Sequence, residues 1–270
     1  MELYSTLESI LTAERPKDKI TLFRSFYTRY HSDKLERDVK SVPRIFNAPS
    51  YAAYCEISDP KNVPRRNRLD TQRGQALLLH AIAHIEYSAI DLALDAVYRF
   101  REQGEEFERD WLKVAEDEVN HFEMIETLLR ECGSYYGEFS VHNALFEASM
   151  RTLTLLERMA IVPRYLEANG LDATPQILRK LNAYRDDVFI QRMIGALNVI
   201  LEEEVDHVRK GDKWFERACS GSEQKDHIYF DIVERYYPRS FPRKVEVNCT
   251  ARTQAGFAKG ELERIASNRC

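Results

Sequence analysis

The sequence predicts an all-α protein built around a four-helix bundle. Three observations carry that reading. The 270 residues include only 10 Gly and 9 Pro, too few breakers for a turn-rich β fold. Between residues 71 and 218 apolar side chains recur at helical spacing over long stretches. One motif, Glu-Val-Asn/Asp-His, occurs twice, 86 positions apart from Glu118 to Glu204, as expected of a duplicated helical hairpin.

The elements follow in chain order. Leu3, Leu7, Ile10 and Leu11 mark a first short helix. Pro16 starts a second, with Ile20, Phe23 and Tyr27 on one face. From Tyr30 to Asp70 the pattern breaks at Pro43, Pro49, Pro60 and Pro64, which predicts an extended wrap. The first bundle helix runs from about Thr71 to Arg101, and Gly104 marks the turn. The second runs from about Glu106 to Glu131 and stops at Gly133.

The third bundle helix starts near His142 and runs through Leu156 towards Glu167, where Gly170 and Pro175 interrupt it. The fourth spans about Asp187 to Ala218. Beyond Ser220 an irregular tail packs on the bundle and ends in a short helix near Gly256 to Ile265. The predicted organisation is a wrap over residues 1–70, a bundle over 71–219 and a tail over 220–270.

Bulk properties narrow the function. With 44% hydrophobic and 31% charged residues, the composition is that of a soluble domain with an ample core. A net charge of -5 gives no general nucleic-acid signature. No run of 18 uncharged apolar residues occurs, and the N-terminus lacks a signal-peptide core. Cys55, Cys132, Cys219, Cys249 and Cys270 form no C-x-x-C pair. The odd, scattered set predicts reduced packing thiols and a cytoplasmic location.

The chemistry lies in the repeated motif. On a helix, residues i and i+3 share a face. Glu118 with His121, and Glu204 with His207, can therefore each point at one ion. Carboxylate plus imidazole suits iron or manganese. Trp111, Val114, Ala115, Phe122 and Ile125 surround the first pair; Leu197, Ile200, Leu201 and Val208 surround the second. A carboxylate on such an apolar face is costly unless paired or metal-bound.

A carboxylate-bridged two-metal bundle also needs one Glu from each remaining helix. Glu86 stands in a small-residue stripe of Leu79, Ile82, Ala83, Ala89, Ile90 and Ala93. Measured from Gly104, its level along the bundle differs from that of Glu118 by roughly 6 Å, about one turn. On the third helix Glu157 and Glu167 both qualify. Glu157 has the more apolar face, with Leu153, Ala160 and Ile161, whereas Glu167 fits the level of Glu204 better. A helix ending at Gly170 would favour Glu157. His80 and His84 do not share the face of Glu86 and read as core or supporting histidines.

At these residues the chain resembles a bacterial family of uncharacterised ferritin-like di-iron proteins. The stretches that carry the resemblance are Leu79–Glu86, Asp117–His121, Val162–Asp172, Glu204–His207 and Ala251–Phe257. That family is similar in layout to the tRNA-modifying hydroxylase that oxidises an isopentenyl-type adenosine. The resemblance implies a ferritin-like four-helix bundle with two Fe ions, Mn being an alternative. It also implies that Glu167, in Leu166-Glu167-Ala168-Asn169, is the third-helix ligand. Asn169 stands where that hydroxylase has Arg, so no role is carried over for it.

The expected metal set is Glu86, Glu118, His121, Glu167, Glu204 and His207, with the four glutamates also serving the reaction. The expected function is an O2-dependent di-iron oxidoreductase, of hydroxylase type, acting on a small molecule or modified nucleoside. An electron-donor protein would supply reducing equivalents. A ferroxidase-like or peroxide-handling role, or a structural bundle with a relic site, are the alternatives. A tRNA substrate would call for a basic patch, for which Arg65, Arg66 and Arg68 are the candidates.

Overall fold

A computed structural model of the chain describes residues 2–32, 35–221, 225–266 and 270. These residues are helical and carry no β-strand, only two isolated bridge pairs, Glu2 with Glu36 and Ile57 with Val141. They fall into two compact units, Met1–Phe146 and Glu147–Cys270.

In the first unit, α1 (Leu3–Leu11) and α2 (Pro16–Ser32) start where the apolar spacing and Pro16 predict. α3 (Gln72–Arg99) and α4 (Glu105–Glu131) form the central hairpin, and α1 packs on α3 while α2 packs on α4. The Thr71 side chain caps α3 by accepting from Gly74 N–H. Glu105, Glu106 and Glu108 sit in the first turn of α4, where carboxylates complement the helix dipole. Gly104 turns the chain between them at φ 83°, a conformation that costs any other residue a steric clash.

α3 is long and apolar enough, by composition, to cross a membrane. However, 78% of its most apolar window is buried within the protein, as in a core helix. The wrap between α2 and α3 is extended apart from a 3-10 turn at Ser50–Ala53. It buries Tyr51 and Leu69 and leaves Arg65, Arg66 and Arg68 exposed.

The predicted third helix is broken into pieces. α5 (Ala144–Arg151) and α6 (Leu155–Ile161) are followed by π-helical turns at Val162–Glu167 and by α7 (Ala168–Leu181). The break lies at Thr152–Thr154, not at Gly170, because Thr154 and Glu157 form a capping box that restarts the helix. Gly170 and Pro175 both lie inside α7. α8 (Val188–Ala218) starts at the Asp187 cap, and α6, the π turns and α7 pack along it.

The tail is more regular than its composition suggests. α9 (Lys225–Tyr236), α10 (Cys249–Gln254) and α11 (Lys259–Ala266) replace most of the expected irregular wrap. The expectation of reduced thiols throughout also needs correction. Cys249 and Cys270 form a disulfide, whereas Cys55, Cys132 and Cys219 are buried free thiols. A 21-residue separation hides that proximity from the sequence.

Candidate metal centre

α3 and α4 bring three of the expected side chains together. His121 Nδ1 lies 3.2 Å from Glu86 Oε2 and 3.4 Å from Glu118 Oε2. One donor atom from each residue lies within 4.8 Å of the others. Glu86 is 4% exposed, Glu118 0% and His121 1%. Glu118 and His121 share a face because they are three apart on α4. Glu86 reaches them because alanines line α3 there and the hairpin turn sets the level.

Electrostatics decide what such a cluster holds. Burial raises the pKa of Glu86 to about 7, with the charge of Glu118 adding and His121 opposing. Burial alone would lower the pKa of His121, but Glu118 and Glu86 overcome it and raise it to about 12. Two carboxylates and one imidazole packed together out of water therefore favour sharing a proton or a cation among them. A proton on His121 supplies one. A divalent cation, bound by the same oxygens and the same nitrogen, supplies two and suits the donor set.

The second unit repeats the motif. His207 Nδ1 lies 3.8 Å from Glu204 Oε2, and His207 is fully buried. The same ring nitrogen faces the carboxylate in both copies. Glu167 closes the π turns, and one carboxylate oxygen of Glu167 and one of Glu204 are buried. Glu157 is engaged elsewhere. Its carboxylate caps Thr154 and pairs with Arg235 at 3.1 Å. Leu153, which made its face look apolar, is 74% exposed.

The neighbouring polar groups have ordinary partners. His80 Nε2 accepts from the N–H of Gly137 at 3.0 Å. His84 pairs through Nδ1 with the Tyr136 hydroxyl at 3.0 Å and through Nε2 with the His142 carbonyl at 2.9 Å. Both are satisfied core histidines, as their face suggested. Asp117 binds Lys113, Asn120 binds Arg24, and Asp206 binds Arg209 and Lys210.

Comparison with known proteins places the chain. A family model described as "Protein of unknown function (DUF455)" matches residues 12–263. The chain belongs to the DUF455 family. This DUF455 chain is also 35% identical, over 98% of its length and 93% of the relative's, to an uncharacterized protein of Haemophilus influenzae. No solved structure matches.

The sequence missed one cluster of this DUF455 chain, the buried ionic group around Arg164. Arg164 is 1% exposed and pairs with Asp212 at 2.7 Å and Glu261 at 2.9 Å. The available signal was an arginine inside the apolar run from Met159 to Leu166. Its partners lie 48 and 97 positions away, beyond any periodicity.

Proposed function

We propose that this DUF455 protein is a ferritin-like four-helix bundle that holds a pair of iron or manganese ions through Glu86, Glu118, His121, Glu167, Glu204 and His207, and that it acts as an O2-dependent oxidoreductase of hydroxylase type. The observation that carries the proposal is the buried Glu86–Glu118–His121 cluster, two carboxylates and an imidazole nitrogen converging out of water, a donor set suited to a divalent iron or manganese ion. The Glu204–His207 pair repeats its chemistry from α8, and Glu167 completes the carboxylate set. Four carboxylates and two imidazoles match the ligand plan of two-metal carboxylate bundles.

The protein's part is to hold the six donors at fixed positions and keep bulk water away. Glu86 and Glu167 supply carboxylates from their own helices. His121 and His207 each supply one Nδ1. Aromatic and aliphatic neighbours such as Trp111, Phe122, Leu197 and Val208 dry the surroundings. When bound, the pair of ions would supply electrons to O2 for oxidation of a substrate C–H bond. The substrate class is a small molecule or a modified nucleoside, and an electron-donor protein would complete the cycle.

Anaerobic Fe(II) titration followed by O2 exposure tests the reading. Two Fe(II) per chain, with new near-ultraviolet absorption on oxidation, are expected. Absence of stoichiometric Fe(II) or Mn(II) binding would refute it. O2 uptake that no organic substrate alters would move the function to ferroxidase or peroxide handling.

A further inference from the structure

The π turns at Val162–Glu167 and the start of α7 that follows them are held by α8 and by the C-terminal tail. On the near side, Arg164 donates through Nη2 to Glu261 at 2.9 and 3.2 Å, and its Nε lies 2.7 Å from Asp212. Its guanidinium carbon lies 4.8, 4.4 and 4.7 Å from the ring centres of Phe215, Tyr229 and Phe257. The Tyr229 hydroxyl donates to the Arg164 carbonyl at 3.0 Å. On the far side, Arg252 donates to the Ala168 carbonyl at 3.0 Å and binds Asp172 through two bonds, at 3.0 and 2.8 Å. Glu167 lies between Arg164 and Ala168.

Two glycines make this approach feasible. A Cβ on Gly211 of α8 would lie 2.3 Å from Pro163 Cβ. A Cβ on Gly256, at φ 106°, would lie 2.3 Å from Asp212 Oδ2. The π geometry then separates two side chains that an α-helix would align. Residues three apart diverge by about a sixth of a turn in an α-helix and by about a third in wider π turns. Arg164 can therefore enter the tail cage while Glu167 takes another direction.

We propose that the tail is a clamp for a metal ligand, with Arg164 and Arg252 as positioning residues that fix where Glu167 presents its carboxylate. This rests on the two-metal reading above. Groups that orient a ligand without touching the ion characteristically change metal affinity by about 10- to 100-fold. A purely structural clamp would lower stability without singling out one ion.

The test uses the full-length protein and Co(II) as the probe, titrated anaerobically and followed by visible absorption. Wild type, Glu167→Gln, Glu261→Gln and Arg252→Lys are compared, each checked by circular dichroism. The expectation is that Glu261→Gln and Arg252→Lys reproduce Glu167→Gln. One Co(II) should bind at least about tenfold more weakly, with the same change in absorption, and the other should be unaffected. Two wild-type-like sites in both folded clamp variants would overturn the clamp and leave the two-metal reading standing. No Co(II) binding by wild type would overturn both. Should either clamp variant fail to fold, Phe257→Leu, which loosens the cage without removing a charge, carries the same expectation.

Discussion

His121 Nδ1 on α4 stands 3.2 Å from Glu86 Oε2 on α3, both side chains buried. That contact joins the two helices of the central hairpin at the level of its acidic cluster. It also sets the consequences of removing either partner.

In the metal-free protein, His121→Ala leaves two buried carboxylates without their imidazole. The expected loss is about 3–5 kcal/mol, read from urea unfolding in the presence of a chelator. Combined with His207→Ala, the variant should lose most of its bound iron by elemental analysis. Full occupancy in the double variant would contradict the assignment.

Glu118→Gln should behave in the opposite way without metal. It removes one of two neighbouring negative charges, so metal-free stability should hold or rise by about 1 kcal/mol. The increase in Tm on adding Fe(II) or Mn(II) should disappear. An undiminished metal-induced increase would argue that Glu118 is not a ligand.

Glu157 and Glu167 separate cleanly. Glu157→Ala removes half of a capping box and should cost about 1 kcal/mol, with metal content unchanged. Glu167→Ala should reduce metal content. Reversal of the two metal results would restore Glu157 as the ligand.

His80 gives a pH dependence. Burial lowers its pKa from 6.5 to about 4, and Nε2 accepts two backbone N–H groups, so the neutral ring is the folded form. Between those values the unfolded chain binds the proton more readily. The stabilisation is complete above about pH 6.5 and is lost as pH falls towards 4. Urea unfolding at pH 7 and pH 5 should differ by about 2 kcal/mol from this group. His80→Phe should remove that share of the slope and leave the share of His84, which burial shifts in the same way.

A nucleic-acid substrate would depend on the exposed Arg65 and Arg66, Arg68 being engaged by Asp70 at 3.0 Å. The Arg65→Ala/Arg66→Ala pair should weaken RNA binding at low salt and flatten its dependence on salt. Equal binding by wild type and variant at low salt would remove RNA contact through this patch.

Much of the helical layout was legible because periodicity is local. α3, α4 and α8 start and stop within a few residues of where Thr71, Gly104, Gly133 and Asp187 indicate. The meeting of Glu86 with Glu118 and His121 was legible too, since one turn and a rise per residue fix their levels. The break before α6 was not, because Leu153 reads as a core residue and the Thr154–Glu157 box outweighs it. The tail helices and the Cys249–Cys270 bond escaped because their stability comes from distant partners. Arg252 finds Asp172 80 positions away, and no window along the chain holds both.

The helix restart at Thr154 gives the chain unequal tolerance to changes in length. A residue gained or lost within Thr152–Leu153 is taken up where the helix is already interrupted, and Thr154 begins the next segment afresh. A residue gained between Leu155 and Leu166 would swing Glu167 by about 100° around its axis, away from the direction the proposed metal set requires. Among homologous chains, insertions and deletions should therefore gather just before Thr154 and be missing from the dozen residues after it.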